Sequence, residues 1–557
     1  MEIIKSIVFH FIIILIATCT SEGNSVSTAS PRTFYFDTNA GNDNHSGLSA
    51  DQAFKSLNPL KDLELRSGDK ILLANGSRFR GSIFIDGFTA KGGLQISNYQ
   101  SPGLSTQEKP IIDASGHLSG IRLKNTSHIR ISNLSITADG GGMTNPSENT
   151  LEGMRCGLLV HVTSDRSFEN IIIENVEIEK VYYEERGFLR GEDEVTTPNG
   201  TQSYGWGIRF LNTSSQGQLS NISVLGCRIR QLSHSGIRFH NSSQKKFQNI
   251  TIQNNVLEKT GGPGMVLLKC DQALVTENNI SYSGSEEDSR NWGRGSGLWT
   301  WGSSHVLIDR NTFRHANGPA DSAGCHIDFN CNDIIVQRNL SWSNAGGFIE
   351  VLGNNYNCAY RYNLSINDGY RVKGEGNNFQ EGKTFWLSGF AGKNNARTGP
   401  FNTYIYNNTI YANASIVSKI AVDRVASGVL VANNIFHLEG KSQLVLGDQY
   451  RPDDGGTGTI KNVTFANNIF LNDNYWPKEA LIQPNQSIIG DVLFQKKGGT
   501  TLLDYRPTAK QLVSDKGIDI PKIVGDSKGL YLGFTLDQDL LGHPIKGLPD
   551  MGAIEME

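Results

Sequence analysis

The chain has a single long apolar run in its 557 residues, from Ile7 to Ala17, and that run is too short for a membrane-spanning helix. A bundle of transmembrane helices is therefore excluded. Cysteine is sparse: seven residues, with no Cys-x-x-Cys pair and no His/Cys spacing of the kind that holds zinc. Beyond Cys19 the six are Cys156, Cys227, Cys270, Cys325, Cys331 and Cys358. Several fall on apolar faces of strand-like segments, which reads as small buried hydrophobes rather than a disulfide framework. Neither sign of charge is in large excess; the net charge is −4, so no global field draws in nucleic acid. Proline is scarce at 16, while glycine reaches 61 and asparagine is frequent and often doubled. Both tolerate left-handed backbone angles and suit tight corners.

The N-terminus reads as a targeting segment, with Lys5 ahead of the apolar run. Its end, Leu15-Ile16-Ala17-Thr18-Cys19, resembles a bacterial lipoprotein signal with Cys19 as the lipidated residue; ordinary secretion is the alternative, since Thr18 is unusual there. Residues 20–32 are mostly small and polar, as a tether is. Export follows from either reading, with membrane attachment through a lipid only.

From about His128 a repeat becomes explicit. Short β-branched runs end in asparagine: Ile129–Asn133, Ile171–Asn175, Ile250–Asn255, Leu274–Asn279, Val306–Asn311, Ile334–Asn339, Tyr360–Asn363, Tyr404–Asn408, Val429–Asn434 and Val463–Asn468. Short strands recurring every 20–50 residues predict a stacked solenoid, each coil burying its face on its neighbours. Asparagine recurring at one corner can stack and bond above and below. A second strand in each coil starts at a glycine. Counting from Gly207, Gly236, Gly264, Gly297, Gly324, Gly346 and Gly369, offsets +1 and +3 are mostly apolar and are predicted to fill the coil. Offsets +2 and +4 then form an outward face, because strand side chains alternate. That face carries Arg209, Arg238, His240, Trp299, Trp301, His326, Asp328, Glu350, Arg371 and Lys373. On this count Asp328, Glu350 and Lys373 stack in one column.

The opening stretch Phe34–Gly47, the phrase Gly68-Asp-Lys-Ile-Leu-Leu73 and the close Pro549-Asp-Met-Gly-Ala-Ile554 resemble the ends of secreted bacterial right-handed parallel β-helix proteins of the pectate-lyase-like kind. The resemblance implies an all-β, right-handed parallel β-helix: one elongated domain with an N-terminal cap and loop insertions. The expected layout is a leader at 1–19, a tether at 20–32, cap and first coils at 33–127, the helix with its cleft at 128–475 and closing coils at 476–557. The fold carries lyases, hydrolases, esterases and adhesins, so it does not fix the function. Asp43 is expected to close a hydrogen-bonded turn, with a cation as the alternative.

Parallel neighbours lie about 4.8 Å apart, so carboxylates in register on adjacent coils suit a retaining glycosidase, in which one attacks and the other cycles between acid and base. Gly324-Cys-His-Ile-Asp328 … Asn339 … Phe348-Ile-Glu350-Val351 resembles the catalytic coils of β-helix glycoside hydrolases of the β-xylosidase, xylanase and α-fucosidase kind. The resemblance implies Asp328 as nucleophile and Glu350 as acid/base; Lys373, stacked next to Glu350, would favour its ionised form and so allows the reverse. Trp299 and Trp301 would be platforms for sugar faces. His326 and His240 would position hydroxyls, or are surface histidines. Arg209 and Arg238 would hold a carboxylate or sulfate of an acidic or sulfated glycan, or are simply exposed. The plain alternative for the column is a solvated charge ladder. The rival function is a polysaccharide lyase, with Lys373 or Arg371 as base and Asp328, Glu350 and Asp321 as calcium ligands; a hydrolase needs no metal. A third is a non-catalytic glycan binder. The insertions 182–204, 284–295 and 374–400 are expected to wall the cleft of a monomeric enzyme that acts on a polysaccharide or oligosaccharide.

Overall fold

A computed structural model describes residues 30–103, 105–142, 153–198, 200, 203–445, 462–472, 484–485 and 487–556. The leader, Cys19 and most of the tether lie outside the described residues. Among the described residues three long sheets of 15, 12 and 14 strands run side by side, and every pairing within them is parallel. Each coil gives one strand to each sheet in turn, which makes the chain a parallel β-helix. The stacking is continuous from the first coils onward: Leu94–Tyr99 pairs with Ile129–Ser132, so cap and helix form one body. The open N-terminal end is covered by two short 3₁₀ turns, Ala50–Gln52 and Asn58–Asp62, with Phe54 and Leu57 buried beneath. The Asp43 carboxylate there accepts from the amides of Lys55 and Ser56 at 2.8 Å.

Isoleucine, leucine, valine and phenylalanine fill the coil in one continuous core. The doubled asparagines have a division of labour. The first, as in Asn254, Asn407, Asn433 and Asn467, takes a left-handed backbone at the corner, φ between 50° and 57°, where asparagine is favoured among non-glycine residues. The second is buried in a ladder that also takes in Asn278, Asn311, Asn339 and Asn363: Asn255, Asn278, Asn311, Asn339, Asn363, Asn408 and Asn434 each pass a side-chain amide N–H to the next side-chain oxygen at 2.8–3.0 Å, and the ladder ends on Asn468. From Asn278 onward each ladder oxygen also accepts the backbone N–H of the asparagine before it, and the Asn255 oxygen accepts that of Cys227. This satisfies polar groups that a buried corner would leave without partners. The six described cysteines are buried free thiols.

After the last coils the chain turns back along the outside. Lys528 reaches Asp333, Arg361 donates to the Gly533 carbonyl at 2.6 Å, and Tyr406 donates to the Phe534 carbonyl at 2.8 Å. The closing segment is therefore a strap over the flank of the first sheet. It also caps the third sheet, where Val513, Leu540 and Met551 are buried.

Candidate active site

The 12-stranded sheet presents the outward face read from the glycines, but its register differs from the glycine count. Ile327 pairs with Val351, and Ala323 bridges to Gly347. Continuing that register sets Asp328 opposite Leu352 and Glu350 opposite His326. Trp299 pairs with His326 and Glu350 pairs with Trp386. One column thus runs Arg238, Val266, Trp299, His326, Glu350, Trp386; the next runs His240, Leu268, Trp301, Asp328, Leu352. Asp328 and Glu350 share a face but stand diagonally, about 8 Å apart at Cα by strand geometry. Phe348, expected outward, is buried in the core, because Gly347 at φ +134° turns the chain over.

Lys373 does not join the column. The coil after Asn363 is 45 residues long, closing at Asn408. Its strand in this sheet is Lys383–Leu387, and Gly369–Lys373 belongs to the loop before it. Lys373 is exposed, and Glu381 accepts from its backbone N–H. Arg371 is buried and spends its guanidinium on the carbonyls of Gly318, Asp321 and Gln380. Neither side chain lines the cleft.

The cleft is a cavity of about 540 Å³, within the usual range of small-ligand sites. Arg238, Trp299, Trp301, His326, Asp328 and Glu350 line it. His240 and Arg209 lie on the same sheet in the preceding coils and do not. The insertions supply the walls: Thr196, Pro198 and Trp292 on one side, Phe379, Phe390 and Lys393 on the other. The first two insertions brace each other, since Trp292 donates to the Glu194 carbonyl at 3.2 Å and Arg190 to that of Arg290 at 2.8 Å. His326 stacks on Trp299 at 6.1 Å and 8°, and Trp301 leans on Phe329 at 5.1 Å.

A third carboxylate, Asp321, lines the same cavity. It precedes the strand in a turn where Asp321 and Ser322 both hold positive φ, 49° and 67°. Two such residues in succession cost about 1–3 kcal/mol each and persist only when the surroundings impose them. Here Gln380 accepts the Asp321 N–H at 2.7 Å, Arg371 donates to its carbonyl at 3.1 Å, and Gly346 donates to the Ser322 carbonyl at 2.8 Å. A Cβ on Gly346 would meet the Asp321 carbonyl oxygen at 1.8 Å, so only glycine fits. Fully buried Arg294 grips one carboxylate oxygen through two nitrogens, both at 2.8 Å.

Burial pushes the Asp328 carboxyl up to about 8; the Phe329 N–H at 2.8 Å pulls it down, and the charge of Asp321 raises it again. One edge of Asp328 is still open to the cleft. His326 is driven down to about 4 by burial, against an upward pull from Asp321, so its imidazole is neutral at pH 7. A neutral ring can donate to or accept from a sugar hydroxyl, and its Nδ1 has no protein partner. The Asp328 shift has a stability consequence. The folded state holds the proton more tightly than the unfolded chain, so this stabilisation is complete below about pH 4 and is lost as pH rises towards 8. Asp328→Asn is therefore expected to raise the thermal midpoint, and by more at pH 8.5 than at pH 5. Calorimetry at the two pH values checks this; a smaller gain at pH 8.5 contradicts it.

The sequence reading expected the 374–400 insertion, which holds Phe379 and Phe390, to wall the cleft but singled out neither of them, missed Phe329, and named Asp321 only as a calcium ligand. None of these occupies the glycine-counted offsets. Asp321 sits in a turn, where periodicity is silent.

With the fold and cleft described, the chain can be set beside known proteins. Residues 235–396 match a family model described as a right handed beta helix region, which gives the sense of the coil. Across 644 aligned positions the chain is 22% identical to the lacto-N-biosidase of Bifidobacterium longum subsp. longum, covering 96% of this chain. It spans 37% of the length of that curated relative. The native crystal structure of a GH136 lacto-N-biosidase from Eubacterium ramulus superposes with a TM-score of 0.55 at 20% identity, covering 74% of this chain and 68% of that one. Its selenomethionine derivative also gives 0.55. At this identity the structural likeness establishes a shared fold.

Proposed function

We propose that the protein is a glycoside hydrolase that cleaves an oligosaccharide or polysaccharide with retention, using Asp328 and Asp321. The relatives support the hydrolase class, since both are lacto-N-biosidases by name. The observation that carries the pair is that Asp321 and Asp328 line one cavity, where the charge of Asp321 adds to burial in raising the Asp328 carboxyl. A retaining mechanism asks for about 5–5.5 Å between the two carboxyls. The Arg294 guanidinium favours the charged form of Asp321, while burial favours the protonated form of Asp328. That division makes Asp328 the acid that protonates the leaving oxygen and Asp321 the carboxylate that attacks the anomeric carbon. Water then enters, with Asp328 acting as base. Trp299 and Trp301 stack sugar faces, and His326 and Glu350 hold hydroxyls.

A second reading keeps the Asp328/Glu350 pair. Their diagonal placement favours it as an inverting pair, because inverting enzymes space their carboxyls about 6.5–9.5 Å apart. The lyase reading is weaker. Its bases, Arg371 and Lys373, are bound to carbonyls or lie outside the cleft, and Arg294 occupies the Asp321 carboxylate that calcium would need. Export, with lipid on Cys19 or without it, rests on the leader sequence.

The test is product chemistry. Lacto-N-biose-linked oligosaccharides come first, followed by plant and algal glycans, with reducing ends and ultraviolet absorbance of unsaturated uronates followed together. New reducing ends without absorbance are expected. Both signals rising together would make the protein a lyase, and neither would make it a binder.

A further inference from the structure

The two outward columns of the cleft differ in chemistry. The first, Trp299, His326 and Glu350, is rich in hydrogen-bonding groups, and Asp321 and Ser296 line the cavity on the side where these strands begin. The second runs Trp301, Asp328, Leu352, two residues or about 7 Å further along the strands. The Asp328 N–H donates to the Thr300 carbonyl at 3.0 Å and the Leu352 N–H to that of Ile327 at 2.9 Å, which fixes their order. Past Asp328 the lining turns apolar. Phe329 packs edge-on against Phe390 at 5.4 Å and 88°, Leu352 and Phe390 belong to one buried cluster, and Trp301 borders Phe329 from the coil before. The 374–400 insertion passes over this corner at Gly392, where a Cβ would stand 3.6 Å from the Phe329 ring. Phe329 is only half-buried and lines the cavity.

We propose that Phe329, Leu352 and Phe390 form a leaving-group recess for an apolar alcohol, and that the protein has a further activity, the release of aryl and alkyl aglycones from glycosides. The proposal rests on the hydrolase reading with Asp328 as acid, because the acid stands beside the departing oxygen and its surroundings are those of the leaving group. In the first step the Asp321 carboxylate bonds to the anomeric carbon and the bond from that carbon to the aglycone oxygen breaks. The Asp328 proton passes to that oxygen and the alcohol is freed. Water then adds to the anomeric carbon, gives a proton to Asp328 and frees the Asp321 carboxylate. A sugar leaving into the recess would bring several hydroxyls to side chains that neither donate nor accept, and a hydroxyl buried without a partner is costly. An aryl or alkyl group loses nothing there and gains in proportion to the apolar area it buries. Lys393 of the same insertion also lines the cavity, but it is exposed and stays in water. The same packing keeps water from the Asp328 carboxyl, whose protonated form burial favours. The sugar side of the cleft serves both kinds of substrate; only the group that leaves differs.

Methanol and benzyl alcohol depart about equally well in the absence of a binding site, so paired glycosides isolate the recess. The protein is given benzyl, octyl and methyl glycosides of N-acetylglucosamine, galactose, glucose and xylose in both anomers, and of any sugar released from the glycans above. At least one benzyl or octyl glycoside should be hydrolysed with kcat/KM tenfold or more above its methyl partner, and above the disaccharide in which glucose takes the place of the apolar group. Calorimetry with benzyl and methyl thioglycosides of the same sugars, which bind without being cleaved, should give the same order and a more negative heat-capacity change for the benzyl form. Phe329→Asn should bring the benzyl form down towards the methyl form in both measurements, with Phe329→Leu retaining part of the preference. The thioglycoside comparison needs no variant, so the test stands if Phe329→Asn does not fold. Equal values for benzyl and methyl forms, a disaccharide preferred over the benzyl glycoside, binding of no thioglycoside, or a Phe329→Asn protein that weakens both forms alike would overturn the recess. If the benzyl preference holds in binding while no glycan or glycoside is ever cleaved, the hydrolase reading falls and the recess stands; cleavage of a glycan with no benzyl preference gives the reverse.

Discussion

Asp328→Ala and Asp321→Ala should each lower kcat/KM by about 10²–10⁴-fold while the protein stays folded, and the double variant should be little worse than either single one. The two variants should part company when azide is added. If Asp321 attacks, azide takes its place in Asp321→Ala and gives a glycosyl azide of inverted configuration. If Asp328 is the acid/base, Asp321→Ala still has its acid, whereas Asp328→Ala accumulates the glycosyl-enzyme, and azide releases it with configuration retained. Proton magnetic resonance of the first-formed product reads the anomer directly. The wild-type pH profile should fall on the alkaline side near pH 8, as Asp328 loses its proton, and that limb should vanish in Asp328→Ala. Glu350→Gln should mainly raise KM. A dead Glu350→Gln beside an active Asp321→Ala, with an inverted product from the wild type, would replace the Asp321 pair with Glu350.

The fold was legible in the sequence because its corners are chemical. Doubled asparagines such as Asn407-Asn408 and Asn433-Asn434 mark a left-handed residue followed by a ladder residue, and both requirements belong to the residue itself. The outward face was legible because strand alternation is local. Register was harder. Glycine to glycine, from Gly324 to Gly346, suggested a coil of 22; asparagine to asparagine, from Asn339 to Asn363, gives 24, and 24 is what the strands follow. The ladder is hydrogen-bonded from coil to coil, so asparagine spacing counts coil length. The glycines only permit close approach, as Gly346 does beneath the Asp321 carbonyl, and one can slide by a residue or two. The same slip placed Lys373 on a strand when its coil is 45 residues long. Asp321 was out of reach for another reason: its place depends on Arg294 and Gln380, from two different insertions, and on Arg371 just ahead of the second of these.

Asn339→Ala should destabilise the protein by roughly 4 kcal/mol, the largest effect expected of any single change away from the cleft. The side chain is fully buried, and its Oδ1 accepts both the backbone N–H and the side-chain amide of Asn311. Its Nδ2 donates to the carbonyls of Ile308 and Gln337 and to Asn363. Alanine removes these bonds at once and leaves a buried N–H and two carbonyls short of partners, each costing about 1–3 kcal/mol. Asn339→Asp should be no better, because a buried carboxylate would face the carbonyls that the amide now serves. Gln253→Ala, which loses only a solvent-exposed bond to Glu277, should stay within about 0.5 kcal/mol. Denaturant unfolding of the three proteins compares them directly. Asn339 also lies on the coil between Asp328 and Glu350, so its loss should cost activity at temperatures well below unfolding, as the neighbouring coils drift in register. An Asn339→Ala protein as stable as Gln253→Ala would mean that the ladder follows the coil and does not set it, and the argument for reading register from asparagine spacing would go with it.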